Sequence, residues 1–237
     1  MPKILRRNLP RRAGIICLQK ARQETYSSNM PMCDANLDAP KTLRDQAAIA
    51  ARLQHLHKAH VAVLTAYVKK LRRSTGKGGK IPYFDPLDGG TRAQCLFVFE
   101  APGRRAVKSG FISRNNPDET AKNFLKFNNG KLDRNFTALW NIVPWFIGTR
   151  RRISPATTQE VRQGLPHLSK VISLFPRLRI IVLAGKKAQR AYDVLKRDFP
   201  SLCLLKMPHP SPQCVNRDHR RALEIKKILS KVVQEIA

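Results

Sequence analysis

From residue 95 onward the apolar positions follow two alternating rhythms. An unbroken apolar run occurs at Cys95-Leu96-Phe97-Val98-Phe99, and mostly apolar runs follow at 138–143, at 178–184 and at 202–206. Short runs without polar alternation predict strands covered on both faces. Between and after the later runs, apolar residues recur every three or four positions. Val161, Leu165, Leu168, Ile172 and Phe175 form one such series. Ala188, Ala191, Tyr192, Leu195 and Phe199 form another, and Ala222, Ile225, Leu229, Val232 and Ile236 a third, its start capped near Asn216. Each predicts a helix with one buried stripe. Asn116-Pro117-Asp118-Glu119 predicts a further helix running to about Phe127, with Asn116 as its N-cap. Strands alternating with helices predict an α/β fold, a three-layer α/β/α sandwich around a four-stranded, mainly parallel sheet.

Upstream, residues 42–73 read as one helix, with Leu43, Ala47, Ala50, Leu53, Leu56, His60, Leu64, Tyr67 and Leu71 on its stripe and Thr42 and Asp45 at its start. Residues 74–94 carry Gly76, Gly78, Gly79, Pro82, Pro86, Gly89 and Gly90 and read as loop. The Gly-Lys-Gly-Gly-Lys within it has the wrong spacing for a phosphate loop and follows no strand. Residues 1–38 lack periodicity and are Arg-rich and acid-poor. A transit peptide, a translation start at Met30 or Met32, and a disordered basic arm all fit them. The expected division is therefore a tail at 1–38 and one domain at 39–237, made of a helical segment at 42–73, a loop at 74–94 and an α/β core at 95–237.

Charge narrows the partners. The chain of 237 residues has 45 Lys and Arg against 16 Asp and Glu, a formal net charge of +29. Such an excess points to a polyanion, most often nucleic acid; an anionic membrane surface or a ribosome-associated role are the alternatives. No apolar run approaches the roughly 20 residues that span a bilayer. The five cysteines, Cys17, Cys33, Cys95, Cys203 and Cys214, are irregularly spaced and include no Cys-x-x-Cys pair, so neither a disulfide framework nor a metal site is expected.

In parallel sheets the working groups lie beyond the carboxyl ends of the strands. Glu100-Ala101-Pro102-Gly103-Arg104-Arg105 follows the first expected strand, and Asn141 interrupts the second. Gly185-Lys186-Lys187-Ala188-Gln189 follows the third. After the fourth comes Met207-Pro208-His209-Pro210-Ser211-Pro212-Gln213, whose three prolines make a stiff loop able to hold an imidazole at a set angle. One rim thus gathers a carboxylate, an amide, a glycine turn, an imidazole and many cations.

From about Leu96 to its end the chain resembles the uracil-DNA glycosylase superfamily. Glu100-Ala101-Pro102-Gly103 is similar to the family's first motif, Ser109-Gly110-Phe111 to the segment with the base-stacking aromatic, and Leu139-Trp140-Asn141 to the strand end whose Asn reads uracil. Gly185 to Gln189 is similar to a further segment, and His209-Pro210-Ser211-Pro212 to the second catalytic motif. The resemblance implies a DNA glycosylase that flips a nucleotide and hydrolyses its N-glycosidic bond. It implies Glu100 and His209 as catalytic, the first orienting water and the second stabilising the leaving base. Ala101, Phe111 and Asn141 would bind the base. Arg104, Arg105, Arg150 and Ser211 would hold DNA, and Gln213 would fill the gap in the helix.

The chain also departs from the family. An Asp of the fastest members is here Ala101, and the Tyr that excludes thymine's methyl group is here Gly103. These changes point to members with Glu before a small residue. Several of those hold an iron–sulfur cluster through paired cysteines that this chain lacks, so no cofactor is expected. The expected partner is uracil-containing DNA, met by a monomer in the cytoplasm at the nucleoid, with organelle targeting by the tail left open. A DNA-binding protein without turnover and a basic RNA- or ribosome-associated protein are the competing expectations.

Overall fold

The strand Cys95–Phe99 (β2) is buried along its whole length, which requires partners on both edges and apolar layers on both faces. The computed structural model, which describes residues 39–149 and 154–236, supplies both. Thr137–Asn141 (β4) pairs on one edge and Ile180–Ala184 (β5) on the other, and Cys203–Met207 (β6) extends the sheet beyond β5. The order is β4-β2-β5-β6 and every pairing is parallel. Helices cover the sheet, as expected, and the sheet is parallel throughout. Two short strands missed in the sequence, Tyr83–Phe84 (β1) and Phe111–Ile112 (β3), make a separate parallel pair.

Parallel pairing brings the strand ends to one edge: Phe99 lies opposite Asn141, Val98 opposite Leu183, and Ala184 opposite Met207. Side-chain alternation then assigns the faces. The rings of Phe97 and Phe99 meet Phe124 at 5.1 and 6.0 Å. Phe124 belongs to Glu119–Asn128 (α4), which packs beside Arg220–Ile236 (α8). Leu139 and Asn141, in register with Phe97 and Phe99, therefore share the α4 side. Trp140 points the other way and stacks on Phe84 at 4.1 Å with planes 7° apart. On that side Tyr67 of Ala59–Thr75 (α2) donates to His167 O of Thr158–Ile172 (α5) at 3.2 Å.

Several boundaries differ from expectation. The helix expected over 42–73 is broken: a 3-10 turn at Thr42–Arg44 leads into Gln46–Gln54 (α1), and a break precedes α2. Asp45 is the cap of α1, accepting from Ala47 N–H at 3.0 Å. α1 buries Arg52 rather than an apolar stripe, leaving Leu53 at 47% exposure, because a buried carboxylate, Asp85, waits for the guanidinium at 3.2 Å. α4 is capped by Asp118, not Asn116. Asn116 is buried, its amide donating to Phe111 O at 2.9 Å and its oxygen accepting from the Ser109 hydroxyl at 2.7 Å. The last helix is two helices, Pro212–Val215 (α7) and α8, with Asn216 at the end of the first. Between β5 and β6 the helix starts as a 3-10 turn at Ala188–Ala191 and continues as Tyr192–Asp198 (α6).

The tail at 1–38 and Arg150, Arg151 and Arg152 lie outside the described residues. No described helix is long and apolar enough to cross a membrane.

Candidate active site

Beyond β2 the chain turns through Glu100-Ala101-Pro102-Gly103 into Arg104–Ser109 (α3). This turn, the ends of β2 and β4, the start of α4 and the loop after β6 enclose a cavity of about 580 Å³. Phe99, Ala101, Gly103, Phe124, Asn141 and His209 all border it, with Arg104 and Arg105 exposed nearby. Two polar groups 68 positions apart in the chain, Asn141 and His209, thus meet at one hollow because their strands end on the same edge of a parallel sheet.

His209 is held from several sides. Its ring packs edge-on against Phe99 at 5.8 Å. Its Nδ1 accepts from Ser211 N–H at 3.2 Å. Burial pushes its pKa down to about 4, because a desolvated imidazole resists taking a charge. Beneath it, Gly185 has φ +87°, and a Cβ there would come within 3.0 Å of His209 Cβ; only glycine both adopts that backbone and leaves room for the ring. Gln189 donates to Met207 O at 3.0 Å and Asn123 to Pro210 O at 2.9 Å, bracing the loop from the 3-10 turn after β5 and from α4.

Other expected site residues stand elsewhere. Glu100 does not border the cavity: its Oε1 accepts from Ala156 N–H at 2.5 Å, and Lys187 donates to Ala156 O. Phe111 is fully buried in β3, its ring 6.5 Å from Tyr83, and does not reach the hollow; the pairing of β3 with β1 takes it into the interior, and the nearly buried rings of Phe99 and Phe124 border the cavity instead. Ser211 and the exposed Gln213 border a separate hollow of about 620 Å³ behind His209, with Lys186, Gln189 and Arg217.

The structure also brings in residues not singled out in the sequence. Arg114 borders the cavity at 1% exposure, pairs with Asp88 at 3.4 Å, donates to Thr137 and lies 5.8 Å from the Phe124 ring. Ser113 borders it too, and donates to Asp85 at 2.5 Å. Burial would raise the Asp85 carboxyl, but Arg134 and Arg52, with Ser113 and Leu87 N–H, hold it below the usual range. Burial pushes Asp88 up to about 6 against the pull of Arg114 and Arg134. This ionic layer fixes the floor under residues 113–116. Asp118 is the one carboxylate bordering the cavity among the described residues; burial raises it, and its Oδ1 caps α4 through Ala121 N–H at 2.9 Å. The signal that could have found this layer was the cluster of polar residues Ser113-Arg114-Asn115-Asn116, set between an apolar pair and a helix start.

The family profile described as the uracil DNA glycosylase superfamily matches residues 86–233, more than half of the chain. The chain belongs to that superfamily. The matched span contains all the strand ends that frame the cavity. A solution NMR structure of a candidate uracil DNA glycosylase from Methanosarcina acetivorans aligns at 15% identity and a TM-score of 0.38, covering 59% of this chain and 90% of that one. No curated protein matches. Some members of the superfamily carry an iron–sulfur cluster. The described cysteines do not fit one: Cys95 is buried, Cys203 and Cys214 are half-buried, and no three His, Cys, Asp or Glu side chains gather as metal ligands among the described residues.

Proposed function

We propose that the chain hydrolyses the N-glycosidic bond of uracil in DNA, leaving an abasic site. The observation that carries this reading is that Asn141 and His209 border one cavity. The scissile bond is inaccessible inside a stacked duplex, so the nucleotide must swing out into such a pocket. The Asn141 carboxamide offers a donor and an acceptor to one edge of uracil. His209 is neutral at physiological pH and presents Nε2–H, which stabilises the charge that develops on the base oxygen as the bond breaks. Phe99, the more exposed of the two rings that border the cavity, is the aromatic against which the base would pack, in place of Phe111. Arg104 and Arg105 give the mouth a positive rim suited to phosphates. Ser211, at the end of the loop after β6, would hold a phosphate, and Gln213, in α7, would fill the gap in the helix. Through Ala156, Glu100 holds the segment after β4 against the rim, a positioning role that supports the site without touching the base. The form Glu-Ala-Pro-Gly supports a kinship with members that have a small residue in the Asp position. The working form is a monomer on nucleoid DNA.

A labelled oligonucleotide containing one uracil, incubated with the protein and then treated with hot alkali, is cut at that position if this reading holds. An intact strand across uracil, hypoxanthine and thymine-mismatch substrates removes it. A second reading, a DNA-binding protein without turnover, is favoured by three observations: Ala101 replaces the acid, Glu100 is engaged by Ala156, and Asp118 is engaged by its helix. Tight binding of uracil-DNA with no abasic product would decide for it.

A further inference from the structure

A third hollow, of about 520 Å³, opens beside the base cavity, and Arg104 borders both. Lys80, Val107, Phe146, Gly148 and Thr149 complete its wall. Lys80 and Arg104 are exposed and Phe146 is half-buried. Among the described residues no acidic side chain lines it. The wall is built from distant parts of the chain fastened together: Phe146 N–H donates to Lys80 O at 2.9 Å, and both residues line the hollow. Behind them Lys77 lies 4.8 Å over the buried Trp145 ring, and Arg72 lies 3.8 Å over Tyr83 while donating to Ile81 O at 2.8 Å. Among the described residues Phe146 takes part in no ring pair. On the other side of Arg104, the base cavity continues the positive charge through Arg105 and Lys108.

An aromatic face between cations, with no carboxylate to repel phosphate, is the arrangement that binds single-stranded nucleic acid: cations follow the backbone and a ring accepts an unstacked base. In a duplex the neighbouring base keeps its own stacking partners, so Phe146 is of use only to a strand without them. We propose that this hollow is a subsite for the nucleotide next to the extruded one in single-stranded DNA, with Lys80 and Arg104 on its phosphates and Phe146 under its base. The position of the subsite, next to the extruded base, rests on the base-removal reading.

The test measures binding of a labelled, uracil-free single strand and of its duplex by fluorescence anisotropy across a range of salt concentrations. Phe146→Ala is expected to weaken single-strand binding between about fivefold and a hundredfold, the range of one lost base–aromatic stack, with duplex binding changed less than about twofold. Phe146→Leu, which keeps an apolar side chain at the position, is expected to lose as much. Lys80→Ala is expected to lower the slope of log affinity against log salt by about 0.7, one phosphate contact on a single strand. Unchanged single-strand binding in Phe146→Leu, or an equal loss on duplex, overturns the subsite. Because the probe contains no uracil, these results stand whether or not the protein excises the base. Loss of affinity in the Phe146 variants, together with no excision by the wild type, would keep the groove and remove the enzyme.

Discussion

The backbone N–H of Ser211 donates to Nδ1 of His209 at 3.2 Å, so the imidazole proton sits on Nε2. Burial of the ring keeps His209 neutral, at a pKa of about 4 against an ordinary 6.5. A neutral ring can donate one hydrogen bond to a leaving base without carrying a charge of its own. Uracil excision is therefore expected to be level from about pH 5 to 8 with respect to this group, and to fall as pH drops through about 4. An inflection near 6.5 in the pH–rate profile would contradict this. The stability linkage has the same sign. Above pH 6.5 His209 is neutral folded and unfolded. As pH falls toward 4 the unfolded chain takes up the proton first, so this group's contribution to stability is lost across that window. Nitrogen NMR of the ring at pH 6 should report the Nε2–H tautomer.

Gly185→Ala tests the support beneath that ring. The substitution places a Cβ 3.0 Å from His209 Cβ on a backbone with φ +87°. It is expected to cost about 1–3 kcal/mol, lowering Tm by several degrees, and to reduce kcat by more than the loss of folded protein explains. Full activity in a folded Gly185→Ala protein would show that His209 need not sit where the structure has it.

Gly103 borders the cavity, and a Cβ there would meet nothing within 4 Å. The wall is open where relatives of the fastest type carry a ring. The wild type is expected to accept uracils substituted at C5. Gly103→Tyr is expected to raise the preference for uracil over such bases by at least about tenfold, the usual lower bound for discriminating one methyl-sized group. Competition between uracil and thymine-mismatch oligonucleotides measures the ratio, and an unchanged ratio would refute the open-wall account.

Asp85→Ala removes the acceptor shared by Arg52 and Arg134 and the partner of Ser113. Breaking a buried ion pair from one side costs about 3–5 kcal/mol, because the remaining charges are left uncompensated. Urea unfolding should show a loss of that order. A loss below about 1 kcal/mol would mean the ionic layer is not a structural element of the cavity floor.

The fold was legible where burial dictates residue type. β2 and β5 are covered on both faces and read as unbroken apolar runs, and α5 and α8 read from their stripes. Asn141 and His209 could be found because strand ends in a parallel sheet share one edge. What stayed hidden was set by contacts between distant segments. α1 buries Arg52 against Asp85, a charge pair that apolar periodicity cannot express. The β1–β3 pair is too short to leave a pattern, and it carries Phe111 into the interior although its place in the order of motifs suggested the pocket. Glu100 lies next to the site in sequence, yet its carboxylate turns to Ala156 N–H, a contact with a segment more than fifty residues away.

The central claim is that Asn141 and His209 act on one base in one cavity. Single-turnover excision from a uracil-containing oligonucleotide, measured for the wild type, Asn141→Ala and His209→Ala with DNA binding in parallel, tests it most directly. The prediction is cleavage by the wild type and a loss of about a hundredfold or more in each variant, the usual effect of removing a preorganised hydrogen-bond donor from a site of developing charge, with binding of uracil-free DNA retained. Wild-type rates in both variants would contradict the account.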